Sequence, residues 1–162
     1  MEEEVSEKIQ EVNSEEKPKR NFARQGKLNR AAGARFELKV RELMKKTNWV
    51  LDRWTNNIDL QKQELAPAKK KFNPFKKMLV ASTGFPDFVG FKYNSDGNYE
   101  VIGIEVKMNG FLSYEEKLKC IFYLDKKIFS RIFIARAKRE GRKIEVELED
   151  FKEKYGKKYI EN

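Results

Sequence analysis

Histidine is absent from this chain of 162 residues, and the single cysteine is Cys120. These absences exclude histidine metal sites, Ser-His and Cys-His catalytic triads, an internal disulfide framework and a cysteine zinc cluster. Any catalysis must therefore rest on carboxylates, lysines, hydroxyl groups and a hard cation such as Mg²⁺, which prefers oxygen ligands. No apolar run approaches the ~20 residues that cross a bilayer, and the acidic N-terminus lacks the apolar segment of a secretion signal. We therefore expect a cytoplasmic protein with no membrane partner.

The net charge of +9 is unevenly distributed along the chain. Residues 1–16 contain seven Glu and one Lys, a net charge of −6, so the remainder of the chain carries +15. This pattern predicts a disordered acidic tail over residues 1–20 and a single domain over residues 21–162. A domain this basic favours a polyanion as partner, with solubility through excess lysine as the alternative.

Hydrophobic periodicity predicts an α/β domain with a mixed sheet, in the order αβββαββ followed by a short helix. The first helix is expected to begin at Ala31 and to stop near Asn48, with an apolar stripe at Phe36, Val40, Leu43 and Thr47, and Met44 beside it. Strands are predicted over residues 49–54, 87–93, 99–107, 130–135 and 143–148.

The second helix is predicted from Ser113 to about Lys126, because Ser113-x-x-Glu116 has the form of a capping box. Its buried face is expected to contain Leu118, Ile121 and Phe122. Asp150 is expected to cap the last short helix.

Two segments are rich in basic residues. Residues 17–30 contain six basic residues and no acid, and Pro18 and Gly26 interrupt them, so an arm is predicted. Residues 55–81 form an irregular basic insertion, in which lysines would neutralise phosphates while Phe72 and Phe75 stack on an unpaired base. The alternative for residues 17–30 is a solvated linker. The alternative for the lysine-rich insertion is a flexible solvated loop whose phenylalanines dock on the core. The candidate nucleic-acid-binding residues are Arg24, Lys27, Arg30, Lys69, Lys70, Lys71, Lys76 and Lys77.

A pair of carboxylates emerges from the predicted hairpin over residues 87–107. If Tyr93 and Tyr99 close a five-residue loop, antiparallel pairing puts Asp87 directly opposite Glu105, with Cβ atoms ~4.5–5.5 Å apart. Opposed acids destabilise a sheet, but a divalent cation would justify them. Lys107 projects from the same face as Glu105. A four-residue loop would shift this register by one, and a solvent-facing strand of alternating charge is the other interpretation.

At these residues the sequence resembles the PD-(D/E)XK nucleases. Pro86-Asp87 matches the first half of their motif, and Glu105-Val106-Lys107 matches the second. The resemblance is greatest to archaeal-type Holliday junction resolvases and covers most of residues 33–151, through the stretches GARFELKVRELMKKTNWVLDRW, GFPDFVGF, IGIEVKM and LSYEEKL. It implies a restriction-endonuclease-like core and hydrolysis of DNA with Mg²⁺, for which Mn²⁺ would substitute.

The resemblance also implies roles for individual residues. Asp87, Glu105 and the Val106 carbonyl would hold the metal, while Lys107 would orient the attacking water or stabilise the phosphate. Glu37 on the first helix would join the metal site.

Three features of the site have more than one interpretation in the sequence. An ion pair with Arg41 is the alternative for Glu37. The hydroxyl residue that the family places before its first motif would be Ser82 or Thr83, but the insertion over residues 55–81 makes the alignment there insecure. Related nucleases carry Gln on the helix after the second motif, where Glu116 or Lys117 stands in this sequence.

The implied biology is DNA recombination and repair in the nucleoid. The expected substrate is branched DNA, cut in pairs by a homodimer to leave 5′-phosphate ends. Ile132, Phe133 and Ile134 are one candidate interface, and the alternative is that they belong to the core. The alternatives are a restriction- or repair-type nuclease of the same class and a nucleic-acid-binding module without activity.

Overall fold

The computed structural model describes residues 22–74, 77–81 and 84–159. The chain divides into two compact units, with the boundary between Ala32 and Gly33. The helices are α1 (Phe22–Lys46), α2 (Tyr114–Asp125) and α3 (Phe151–Tyr159). The strands are β1 (Val50–Arg53), β2 (Asn56–Asp59), β3 (Glu64–Pro67), β4 (Lys70–Asn73), β5 (Met78–Ala81), β6 (Phe88–Tyr93), β7 (Tyr99–Val106), β8 (Arg131–Glu140) and β9 (Lys143–Asp150). The predicted α/β class is confirmed.

Five strands form a mixed sheet in the order β1-β6-β7-β8-β9. Neighbouring strands are antiparallel except β7 and β8, which are parallel. A parallel pair needs a crossover connection, and α2 lies in the connection between β7 and β8. The predicted mixed sheet is therefore present, and β1 and β9 form its two edges.

The β6–β7 hairpin has the register expected from its loop length. Tyr93 pairs with Tyr99, and Phe88 pairs with Ile104 at the other end of the ladder. Gly97 takes a φ of +89° inside the five-residue loop, a conformation that glycine adopts without steric cost. One further step along the same register brings Asp87 opposite Glu105.

Side chains alternate between the two faces of the sheet and build two hydrophobic clusters. On one face, Phe36, Val40 and Met44 of α1 pack with Phe88 and Ile102. The cluster on the other face joins α2 and α3 to the sheet through Val89, Cys120, Tyr123, Ile132, Ile134 and Phe151. Burial of each large apolar side chain contributes roughly 1.5–3 kcal/mol, so both helical layers hold the sheet in place.

The first helix is longer than predicted. It begins at Phe22 rather than Ala31 and passes through Gly26, so the prediction of an arm is wrong for residues 22–30. A glycine inside a helix costs about 1 kcal/mol, which neighbouring helix-forming residues offset. The predicted stop is confirmed, because the helix ends at Lys46 and Asn48 has a φ of +62°. Thr47 was predicted to belong to the apolar stripe but is exposed, whereas Met44, predicted to lie beside the stripe, is buried.

Residues 55–81 were expected to be irregular, and this expectation is wrong for the described part. Strand β2 pairs with β3, and β4 pairs with β5, so the segment contains two hairpins. Gln63 and Lys77, in the turns of these hairpins, have φ values of +53° and +49°. Such a conformation normally calls for glycine or asparagine, so the sequence carried no turn signal at either position.

Local capping determines where the two later helices begin. Ser113 and Glu116 form the predicted capping box at the start of α2. Asp150 Oδ1 accepts a hydrogen bond from the Lys152 backbone N–H at 2.7 Å, so Asp150 caps α3 as predicted. The predicted buried face of α2 is only partly correct. Leu118 and Ile121 are half-buried, while the buried residues are Lys119, Cys120, Phe122, Tyr123 and Leu124.

Of the two interpretations of the late strands, the core is confirmed for Ile132 and Ile134, so these two residues do not form a dimer interface. Ile132 and Ile134 are 1% and 0% exposed, because β8 lies inside the sheet between β7 and β9. Phe133 is half-buried under the Arg131 guanidinium group. The predicted acidic tail over residues 1–20 lies outside the described residues. Within the described ranges, no helix is both long enough and apolar enough to cross a membrane.

Candidate active site

Asp87 and Glu105 meet where β6 begins and β7 ends. The Asp87 backbone N–H donates a hydrogen bond to Glu105 Oε2 at 3.1 Å. The Val106 backbone N–H donates a hydrogen bond to Asp87 Oδ2 at 2.9 Å. Each carboxylate is therefore fixed by the backbone beside the other acid, and the two residues come together as their register requires.

Burial disfavours the ionised form of both carboxyl groups. Glu105 is 5% exposed, and burial together with the neighbouring Asp87 raises the pKa of Glu105 to about 8. Burial also raises the pKa of Asp87, although the hydrogen bond from Val106 and the charges of Lys107 and Arg53 act in the opposite direction. Two adjacent carboxylates repel each other when both are ionised. A bound cation would stabilise the doubly ionised pair.

Lys107 lies between two glutamates. Its Nζ is 3.3 Å from Glu105 Oε1 and 2.6 Å from Glu116 Oε1. Burial by itself would lower the pKa of Lys107, but the hydrogen bond to Glu116 and the charge of Glu105 raise it. Lys107 is therefore a positively charged hydrogen-bond donor at neutral pH.

Glu116 connects the start of α2 to this lysine. Its Oε2 accepts a hydrogen bond from the Ser113 backbone N–H at 2.7 Å, while its Oε1 accepts the hydrogen bond from Lys107. Burial would raise the pKa of Glu116, but the hydrogen bonds from Lys107 and Ser113 lower it overall. Sequence reasoning identified the cap and missed the contact with Lys107, because no local spacing links the two residues.

The segment before Asp87 is held in place by two aromatic residues. The Trp54 backbone N–H donates a hydrogen bond to the Asp87 carbonyl at 3.2 Å. Trp54 Nε1 donates to Tyr123 Oη at 3.0 Å, and Tyr123 Oη donates to the Phe85 carbonyl at 2.6 Å. This chain of hydrogen bonds joins Trp54, the residue after β1, and Tyr123 of α2 to Phe85, which lies two residues before Asp87. The sequence patterns predicted no role in the site for Trp54 or Tyr123.

Gly84 allows this segment to approach the backbone of Trp54 and Asn56, where the chain passes from β1 to β2. Its N–H donates a hydrogen bond to the Trp54 carbonyl at 3.0 Å, and the Phe85 N–H donates to the Asn56 carbonyl at 2.9 Å. A Cβ atom at Gly84 would lie 2.2 Å from the Asn56 carbonyl oxygen and 2.6 Å from that of Trp54. Glycine is therefore required here by packing against the backbone.

Glu37 lines the same cleft as the acid pair. Its Oε2 lies 3.5 Å from Arg53 Nη2, so its partner is Arg53 rather than the expected alternative, Arg41. The guanidinium carbon of Arg41 lies 4.4 Å from the centre of the Phe88 ring. The positive charge of Arg53 also acts to lower the pKa of Asp87. Arg53 therefore interacts electrostatically with both Glu37 and Asp87.

An open cleft of about 440 Å³ contains the predicted residues. It is lined by Glu37, Gly84, Phe85, Asp87, Glu105, Val106, Lys107, Ser113, Glu115, Glu116 and Lys119. Within the described residues, no group of three or more Asp, Glu, Cys or His side chains is arranged around a metal position. The donors that fit Mg²⁺ are the carboxylates of Asp87 and Glu105, since Mg²⁺ commonly takes one or two carboxylates and keeps several waters.

The remaining predicted residues lie in three places. Ser82, Thr83 and Lys76 fall outside the described residues, and so does the side chain of Lys71. Lys69, Lys70 and Lys77 are exposed in or beside the β4–β5 hairpin. Arg24, Lys27 and Arg30 are exposed on the first part of α1, in the unit that ends at Ala32.

Comparisons of the chain with protein-family models, with curated proteins and with solved structures give no match.

Proposed function

We propose that this chain is a metal-dependent DNA endonuclease of the PD-(D/E)XK class. The observation that carries the proposal is the contact between Asp87 and Glu105 in a cleft that also contains Lys107. A buried and a half-buried acid side by side cost stability, so their presence favours a functional role over a packing role. The mixed sheet with helices on both faces is consistent with the restriction-endonuclease-like core that the sequence resemblance implies.

In this proposal, Asp87, Glu105 and the Val106 carbonyl hold Mg²⁺, for which Mn²⁺ substitutes. The bound cation supplies positive charge that acidifies a water molecule and offsets charge on the phosphate oxygens. Asp87 and Glu105 each accept one backbone hydrogen bond, which limits their movement and keeps their oxygens directed to the cleft. Glu37 assists from the wall of the same cleft.

Lys107 acts on the water or the phosphate. Because its pKa is raised, it stays protonated and donates hydrogen bonds rather than removing a proton. Glu105 and Glu116 hold the ammonium group between them, so its direction is set before the substrate arrives. A positioned cation of this kind stabilises negative charge that develops on a phosphate during in-line attack.

The proposed substrate is branched DNA, such as a Holliday junction. The chain carries a net charge of +9, and the β4–β5 hairpin combines exposed Lys70 and Lys77 with exposed apolar residues. Phe72 and Leu79 pair across this hairpin and are 63% and 59% exposed. Exposed aromatic side chains beside lysines suit contact with unstacked bases. Pro-Asp, the first half of the motif, occurs once in the sequence, so one chain offers one such site and two symmetric cuts favour a two-fold homodimer.

Cleavage of a DNA panel by Asp87→Asn and Asp96→Asn tests the proposal. The panel contains a four-way junction, a flap, a linear duplex and a single strand, each with Mg²⁺. Asp87→Asn should abolish cleavage, while binding should persist or tighten because repulsion with phosphate falls. Asp96→Asn, in the exposed 94–98 loop, is the matched control and should cut like the wild type. Normal turnover by Asp87→Asn would contradict the assignment.

Sedimentation of the protein with the same substrates separates the variants of this proposal. A dimer that cuts the junction in preference to the duplex supports the hypothesis of a Holliday junction resolvase. A monomer that prefers linear duplex indicates a restriction- or repair-type nuclease. Binding without cleavage of any substrate indicates a nucleic-acid-binding module.

A further inference from the structure

Lys119 is a buried lysine with no role in the mechanism above. It lies on α2 one turn after Glu116 and is 8% exposed. Its Nζ is 2.6 Å from Glu115 Oε1 and 5.8 Å from the centre of the Phe85 ring. The Glu115 side chain is 67% exposed, so a buried ammonium is balanced by a carboxylate that stands mostly in solvent. Burial of an ammonium is costly unless it stays paired, and packing alone would favour an apolar residue.

Lys119 and Glu115 lie at the junction of two clefts. Both residues line the catalytic cleft, and both also line a second cleft of about 800 Å³. The second cleft follows the β2–β3 hairpin, and its wall includes residues 57–61, Pro67 and Lys69. An extended chain that occupies the catalytic cleft and continues along the hairpin must pass Lys119.

The two lysines of the catalytic cleft are held differently. Lys107 contacts Glu105 and Glu116, and each of these acids is also fixed by a backbone hydrogen bond. Lys119 contacts Glu115, whose side chain is mostly in solvent. A phosphate can therefore take the place of Glu115 while the buried ammonium remains paired with an anion throughout.

We infer that Lys119 binds the backbone phosphate next to the scissile one, with Glu115 as its exchangeable counter-ion. The ligand is a nucleic-acid strand that runs from the catalytic cleft into the cleft along β2–β3. The inference rests on the proposed function and extends it to the path of the cut strand. A lysine at this place positions the backbone without reading bases. It also offsets the acids that line the catalytic cleft.

Binding of a fluorescein-labelled four-way junction, followed by anisotropy in EDTA so that no cleavage occurs, tests this inference. Lys119→Met keeps the length of the side chain and removes its charge. It should weaken binding about 5- to 10-fold and lower the slope of log affinity against log salt by about one or less. Glu115→Gln should strengthen binding roughly 2- to 5-fold, because the phosphate no longer competes with a carboxylate.

Lys126→Met, at the end of α2 and outside both clefts, is the matched control and should leave the affinity unchanged. A double variant distinguishes a phosphate site from an ion pair that only stabilises the helix. If Lys119 binds phosphate, Glu115→Gln should give no gain in affinity in the Lys119→Met protein. If the pair only stabilises α2, both single variants should lower the unfolding temperature alike and leave the affinity unchanged, which overturns the inference.

The failure of this inference can be distinguished from the failure of the proposed function. If the wild type binds and cuts DNA and Lys119→Met does so equally well, the inference alone is overturned. If the wild type fails to bind the junction even at low salt, the proposed function is overturned together with the strand path.

Discussion

Replacement of Glu105 by Gln tests whether the buried acid pair weakens the fold when no cation is bound. The pKa of Glu105 is about 8 in the folded protein, against 4.5 for a solvated glutamate. Between pH 4.5 and about pH 8, Glu105 is ionised in the unfolded chain and protonated in the folded protein. The free energy of unfolding therefore falls as the pH rises, by about 1.4 kcal/mol per pH unit for this group.

The expected difference follows from that slope. From pH 5 to pH 8, the wild type should lose up to about 4 kcal/mol relative to Glu105→Gln. Gln keeps the shape of the side chain and can still accept the hydrogen bond from the Asp87 backbone N–H. Lys107 loses one carboxylate partner and keeps Glu116, so the variant should be the more stable protein at pH 8. Its advantage should shrink as the pH falls toward 5.

Urea unfolding in EDTA at pH 5, 6, 7 and 8 measures this difference. Glu145→Gln is the matched control, because Glu145 is exposed on β9, and its profile should follow the wild type. At pH 8, Mg²⁺ in place of EDTA should stabilise the wild type and have little effect on Glu105→Gln, since a ligand stabilises the state that binds it. Identical pH profiles for the wild type and Glu105→Gln would refute the argument that burial beside Asp87 raises this pKa.

Three further changes probe the surroundings of the pair. Glu116→Gln should lower the turnover rate about tenfold or more with little change in DNA affinity, because it loosens Lys107; a change in affinity alone would contradict this positioning role. Gly84→Ala should cost about 2–3 kcal/mol of stability, measured by urea unfolding, because its Cβ would overlap a backbone carbonyl; a variant as stable as the wild type would show that the segment can shift. Joint replacement of Lys69 and Lys70 by Gln should flatten the salt dependence of DNA binding by about two or less, and an unchanged slope would mean that the β4–β5 hairpin does not contact phosphates.

The pairing of Asp87 with Glu105 could be predicted from the sequence because it depends on local geometry. A hairpin loop of known length sets the register of its two strands, and the side-chain period of two then determines which residues share a face. The cap at Ser113 and the stop near Asn48 were equally predictable, since each depends on a few consecutive residues.

The two hairpins within residues 56–81 lay beyond such reasoning. Their turns place Gln63 and Lys77 at positive φ, where residue preferences point away from a turn. Likewise, the buried face of α2 depends on which side meets the sheet, because Leu118 and Ile121 are only half-buried although they are more apolar than the buried Lys119 and Tyr123. Only the packed structure decides between such faces.

The sequence by itself determined the acids and the lysine of the candidate site, because they lie on one hairpin and share its register. Tertiary structure alone decided what holds them. Trp54 and Tyr123 are 69 residues apart in the chain and meet through one hydrogen bond, and Glu37 of α1 lies 3.5 Å from Arg53 of β1. The position of Lys119 between two clefts is likewise decided by the tertiary structure. Such contacts depend on how helices are laid against a sheet, and periodicity along the chain carries no information about that placement.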